Sequence, residues 1–126
     1  MQIGQVAERT ELSIRTIRHY DDVGLIVSSA RSAGGFRLYT EADVQRLLLV
    51  RRMKPLDFSL EQMRELLEAV DVAGDEAGAA ADRERARCVI GAYRRQADER
   101  VEVLRTQLAR AEDLAARLAT QAAEPS

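Results

Sequence analysis

The sequence predicts a mainly α-helical chain: a winged helix-turn-helix of four short helices and a two-stranded wing, followed by one long coiled-coil helix. Three observations predict it. Short apolar-periodic segments open the chain, most of them behind a residue suited to cap a helix. A Gly34-Gly35 pair sits between extended segments that carry arginines and aromatics. Beyond Arg83, an apolar stripe runs nearly to the end of the sequence, unbroken from Val101 onward.

The first helix is read from Ile3, Val6 and Ala7, spaced i, i+3, i+4, and ends near Arg9. Thr10-Glu11-Leu12 is a tight connection. Ser13 caps a second helix running to Asp21 or Asp22, with Leu12, Ile17 and Tyr20 at its inward or flanking positions and Gly24 at the position after it that wants positive φ. Two short helices joined by three residues form a helix-turn-helix. Residues 25–39 read as the wing, with Leu25-Ile26-Val27 and Phe36-Arg37-Leu38-Tyr39 as its arms.

Thr40-Glu41-Ala42-Asp43 is a capping-box variant that starts a third helix, carrying Val44, Leu47, Leu48, Val50 and Met53. Pro55 ends or bends it. Ser59-Leu60-Glu61-Gln62 opens a fourth, with Leu60, Met63, Leu66, Leu67 and Val70 on its apolar side. These helices complete a domain over residues 1–70. Residues 71–82, rich in Ala, Gly and Asp, form a linker, with partial helix open there. A helix over 83–122 follows, about 60 Å long at ~1.5 Å per residue, with 123–126 as a tail.

Along that helix, Ile90, Tyr93, Ala97, Val101, Leu104, Leu108, Ala111, Ala115 and Leu118 form the stripe, with one phase shift between Ala97 and Val101. The rest of the chain holds no helix of matching length, so the expected partner is a second copy. A fold-back of this helix onto its own domain is the alternative. Cys88 reads as a small residue of that interface rather than a sensing thiol.

Composition narrows the function. The net charge of −2 hides an asymmetry. Residues 1–55 carry nine Lys/Arg against six Asp/Glu, a net +3, whereas residues 56–126 carry ten against fifteen, a net −5. A basic N-terminal region suits phosphate. One cysteine excludes an intrachain disulfide and fits a reducing, cytoplasmic setting. One His and one Cys cannot close a zinc site, and nothing implies a cofactor. Neither a signal peptide nor an apolar run near 20 residues is present, so no membrane partner is expected. No catalytic constellation appears, which argues against an enzyme.

The stretch Ile14-Arg15-Thr16-Ile17-Arg18-His19-Tyr20-Asp21, then Arg31 and Gly35-Phe36-Arg37, supplies a basic helix and a hairpin able to enter a groove and grip flanking phosphates. With Ile3-Gly4-Gln5-Val6-Ala7, Gly24-Leu25-Ile26, Tyr39-Thr40, Asp43-Val44 and Phe58-Ser59-Leu60-Glu61, this pattern resembles the MerR family of transcriptional regulators over residues 1–70. The family often has Leu-Gly before the Phe-Ser pair, where this chain has Pro55-Leu56-Asp57.

The resemblance implies a homodimer held by an antiparallel coiled coil. It would sit on a pseudo-palindrome in the long spacer of a promoter and bend and untwist that DNA so that RNA polymerase engages both promoter elements. It makes Arg15 and Arg18 candidates for base-edge or phosphate contact, with Thr16 and His19 on the same helix and Tyr20 offering a hydroxyl to phosphate. Arg31, Phe36, Arg37 and Tyr39 would serve the wing. Arg51, Arg52 and Lys54 would extend the basic face. Neither the cysteine loop of metal-sensing members nor the effector domain of drug-sensing ones follows the coil, so no inducer carries over and any small-molecule effector is unidentified. An architectural or excision accessory protein, or a coiled-coil adaptor, is the alternative function.

Overall fold

The computed structural model describes residues 1–123. Helix α1 spans Ile3–Thr10 and α2 spans Ile14–Asp22. The two-stranded antiparallel wing follows, β1 over Ala30–Arg31 and β2 over Arg37–Leu38, in the register Ala30↔Leu38 and Arg31↔Arg37. Then come α3, Glu41–Met53, a 3-10 turn at Lys54–Leu56, α4, Leu60–Gly74, and α5, Ala80–Ala123.

The helix starts are local chemistry. Ser13 Oγ accepts from the Thr16 N–H at 3.0 Å, and Ser59 Oγ from the Gln62 N–H at 3.1 Å. Thr40 and Asp43 exchange hydrogen bonds reciprocally, as a capping box should. Gly24 closes α2 at φ +75°, its N–H donating to the Asp21 carbonyl. Two other reversals put non-glycine residues in the left-handed region: Glu11 at φ +58° in the turn between α1 and α2, and Asp57 at φ +62° before α4. Asp57 occupies the place where the resembled pattern has Gly. The bend survives, with Asp tolerating the left-handed conformation that Gly adopts freely.

One core joins α1 through α4. Val6, Ile17, Val44, Leu47 and Val50 are wholly buried, and Met53, Met63 and Leu67 nearly so. Three expectations need correction. Leu25 and Ile26 are not wing strand: both N–H groups donate to the Tyr20 carbonyl and both side chains enter the core. The linker is far shorter than residues 71–82. Helix α4 continues to Gly74 and α5 starts at Ala80, because alanine-rich sequence favours helix. Only residues 75–79 turn, stabilised by Asp75 Oδ1 accepting from the Ala77 N–H.

The third correction concerns the long helix. Its first half packs on α4 of the same chain, burying Ala86 and Tyr93. The Tyr93 ring meets Phe58 edge-on with centroids 5.3 Å apart, and its hydroxyl donates to Glu65 at 3.2 Å. Tyr93, expected in the seam between copies, is thus part of the protomer's own core. Ile90 and Ala97 line an apolar groove of about 270 Å³ between α3, α4 and α5. Beyond Leu104 every described side chain of α5 is exposed, Leu108 and Leu118 by more than half. Residues 124–126, expected in the tail, lie outside the described residues.

Candidate nucleic-acid interface

Helix α2 is amphipathic with a sharp division. Ile17 and Tyr20 face the core, while Arg15, Arg18 and His19 are exposed and Thr16 is half-buried at the edge. Arg15, Arg18 and His19 stand at i, i+3, i+4, so they share one face. The wing lies beside that face. Arg18, Arg31, Gly35, Phe36 and Arg37 line a single open cleft with Gln2 and Ile3, about 470 Å³ in volume. Three guanidinium-bearing side chains from the helix and both strands therefore converge on one concave surface.

The hairpin tip is built for this placement. Gly35 adopts φ +82°, and the Ser32 N–H donates to the Phe36 carbonyl at 2.8 Å. Arg31 Nη1 donates to the Gly35 carbonyl at 3.1 Å, drawing its head along the turn. Phe36 is 73% exposed, with its ring close above Gly34. Lys54 reaches in from the end of α3, its Nζ 5.7 Å from the centroid of Tyr20. A cation thus stands against the α2 tyrosine.

Two aromatic residues expected to touch DNA sit in the interior instead. Tyr39 is 1% exposed and donates its hydroxyl to Asp21 Oδ2 at 3.1 Å. Its phenol is pushed up to about 12 by burial first, then by that hydrogen bond and the Asp21 charge. Tyr20 is buried beneath Lys54. Arg51 does not extend the basic face. It donates to the Thr10 carbonyl at 2.6 Å and reaches Glu11, holding the turn between α1 and α2. Arg52 lines the groove toward α5.

A model described as the MerR HTH family regulatory protein matches residues 1–70, more than half of the chain. The chain belongs to the MerR family. Among curated MerR relatives, the HTH-type transcriptional regulator ZntR of Escherichia coli is 47% identical over 66 residues, which are 52% of this chain and 47% of that protein. The HTH-type transcriptional activator TipA of Streptomyces coelicolor is 42% identical over 73 residues, 58% of this chain and 28% of that one. The chain spans less than half the length of these relatives.

Solved MerR structures extend the likeness into the long helix. HiNmlR, described as a MerR family regulator lacking the sensor domain and bound to promoter DNA, is 25% identical with a TM-score of 0.66, covering 94% of this chain and 86% of that one. MtaN, the N-terminus of the Bacillus subtilis multidrug transporter activator, is 30% identical with a TM-score of 0.51, covering 86% and 97%. Among the described residues of this MerR chain, no group of three or more His, Cys, Asp or Glu is arranged to hold a metal, and no helix is long and apolar enough to cross a membrane. Cys88 is exposed on α5.

Sequence reasoning missed two residues that shape this surface. Asp21 and Asp43 bind the base of the wing through donors far along the chain. Asp43 was legible as a cap but not as a wing anchor. Burial pushes its carboxyl up, yet hydrogen bonds from Ser29 and Thr40 outweigh this and hold it below the ordinary aspartate value.

Proposed function

We propose that the chain is a promoter-binding transcriptional regulator that acts as a homodimer on a two-fold-symmetric site. The observation that carries this reading is the shared cleft, where Arg18 of α2 faces Arg31 and Arg37 of the wing. A helix of this size fits the major groove, and a hairpin beside it reaches the adjacent backbone. Arg15 and Arg18 read base edges or phosphate, Thr16 and His19 lie on the same helix, and Arg31, Phe36, Arg37 and Lys54 grip the sugar-phosphate surface on either side. Tyr20 and Tyr39 act from the interior, by supporting α2 and the wing.

The outer half of α5 supports the dimer. Val101, Leu104, Leu108, Ala111, Ala115 and Leu118 keep alternating spacings of three and four, and a row of exposed leucines on an otherwise charged helix calls for a partner helix. An antiparallel pairing places two DNA-binding units at opposite ends of one coil. By likeness to HiNmlR, whose structure holds promoter DNA, the same arrangement here engages a promoter spacer. Bending and untwisting that spacer lets RNA polymerase reach both promoter elements.

Footprinting of the purified chain on the promoter DNA beside its own gene, at two salt concentrations, tests the proposal. The expected result is a salt-sensitive, two-fold-symmetric footprint of roughly 20 base pairs over the promoter spacer. Absence of protection at low salt with a folded protein refutes it.

A further inference from the structure

We infer that Asp21 and Asp43 form a two-carboxylate clamp at the base of the wing, making them positioning residues for Arg31 and Arg37. The inference rests on the DNA-binding reading above. It begins from how little the wing holds itself together. Each strand is two residues long, with only Ala30↔Leu38 and Arg31↔Arg37 in register, and an isolated hairpin even longer than this is marginal in water. Something other than its own ladder must fix its angle to α2.

The two carboxylates do so symmetrically. Asp21, in the last turn of α2, accepts from the Ser28 N–H at 3.4 Å on the wing's first arm and from the Tyr39 hydroxyl at 3.1 Å on its second. Asp43, in the first turn of α3, accepts from the Ser29 N–H at 3.1 Å and Ser29 Oγ at 2.6 Å on the first arm. It also accepts from the Thr40 N–H at 2.9 Å just past the second. Each acid therefore ties both arms to one helix, Asp21 to the recognition helix and Asp43 to α3.

The chemistry requires acids at these places. A carboxylate only accepts, and its two oxygens can serve several donors at once; an amide would turn one of those oxygens into a donor facing N–H and O–H groups. Both acids are enclosed, the Asp21 side chain 7% exposed and Asp43 4% exposed, where such bonds are stronger and harder to replace with water. Asp21 also stands 3.7 Å from Arg37 Nε, and Asp22 is 3.4 Å from Arg37 Nη2. The helix that enters the groove thereby steers the arginine that grips the flank. A fixed wing presents Arg31 and Arg37 to phosphates already in register with α2, whereas a wing freed from the clamp leaves them out of reach of those phosphates, so fewer are contacted in the complex.

The test uses the full chain and a duplex that it selects from a random-sequence pool. Salt dependence of binding is measured for the wild type, Asp21→Asn, Asp43→Asn and Tyr39→Phe, each alone and combined with Arg31→Ala/Arg37→Ala, with thermal melts by circular dichroism at the same salts. The expected result is that the clamp variants stay folded but bind with a slope shallower by about one for each arginine released. Adding the arginine substitutions then costs little more, because the two sets are coupled. Clamp variants with the wild-type slope, or losses that simply add, overturn the inference, since a purely structural role lowers the melting temperature without changing how many phosphates are contacted. Should an aspartate variant fail to fold, Tyr39→Phe, which removes one hydroxyl, decides the question. A wild-type chain that enriches no duplex overturns the DNA-binding reading and this inference together.

Discussion

The Tyr39 hydroxyl donates to the Asp21 carboxylate at 3.1 Å, joining the end of the wing to the end of α2 across 18 positions of sequence. This bond keeps a phenol in the interior and gives it a pH signature.

Folding favours the neutral phenol, whose value is raised from 10.0 to about 12. The Tyr39 contribution is therefore complete below pH 10.0 and is lost as pH rises through about 12. In urea titrations across this window, the wild-type midpoint is expected to fall more steeply than that of Tyr39→Phe. Parallel curves would contradict the assignment.

Glu11 and Asp57 both occupy the left-handed region, at φ +58° and +62°. Glycine there removes the steric cost, and Glu11→Gly should stabilise the chain by about 1 kcal/mol in urea denaturation. Loss of the exposed Glu11–Arg51 pair offsets little of that. Asp57→Gly should gain less, since Asp tolerates this conformation better than Glu. The reverse order would show that another interaction governs the α1–α2 turn.

Leu108→Asp and Leu118→Asp place charges on the exposed stripe of α5, where neither side chain contributes to the protomer's own core. Sedimentation should show the proposed dimer weakened while the midpoint of the N-terminal core's unfolding, followed in the monomeric variant, stays unchanged. Tyr93→Ala should instead destabilise the protomer by ~3 kcal/mol, as loss of a buried aromatic does. A Leu108→Asp variant that remains fully dimeric would exclude this seam.

Arg18→Ala and Arg31→Ala should differ in kind. An arginine reading a base edge costs about 1–3 kcal/mol on the preferred sequence and relaxes discrimination there. One gripping phosphate weakens all sequences alike and lowers the salt slope by about 1. Binding of both variants to matched and mutated duplexes, over a salt series, separates the two roles. Equal loss of discrimination in both would contradict the division between helix and wing.

Much of the fold was legible in the sequence because it rests on interactions a few residues apart. Ser13, Thr40 and Ser59 cap the helices that follow them, as their spacing to Thr16, Asp43 and Gln62 announces. Gly24 and Gly35 take the positive φ their turns demand. The basic face of α2 follows from helical periodicity applied to Arg15, Arg18 and His19.

What the tertiary structure decided are the partners that lie far along the chain. A tyrosine in a basic, aromatic-bearing hairpin reads equally as a DNA contact or as core, and only packing buried Tyr39. Arginine likewise does not declare its acceptor, and Arg51 found the Thr10 carbonyl 41 positions away. The stripe on α5 has the same spacing where it meets α4 as where it stands free, so periodicity alone could not tell Tyr93 from Leu108. Capping and turn geometry are set by neighbours in sequence, whereas the assignment of an apolar face or a buried carboxylate is set by whichever element the folded chain brings against it.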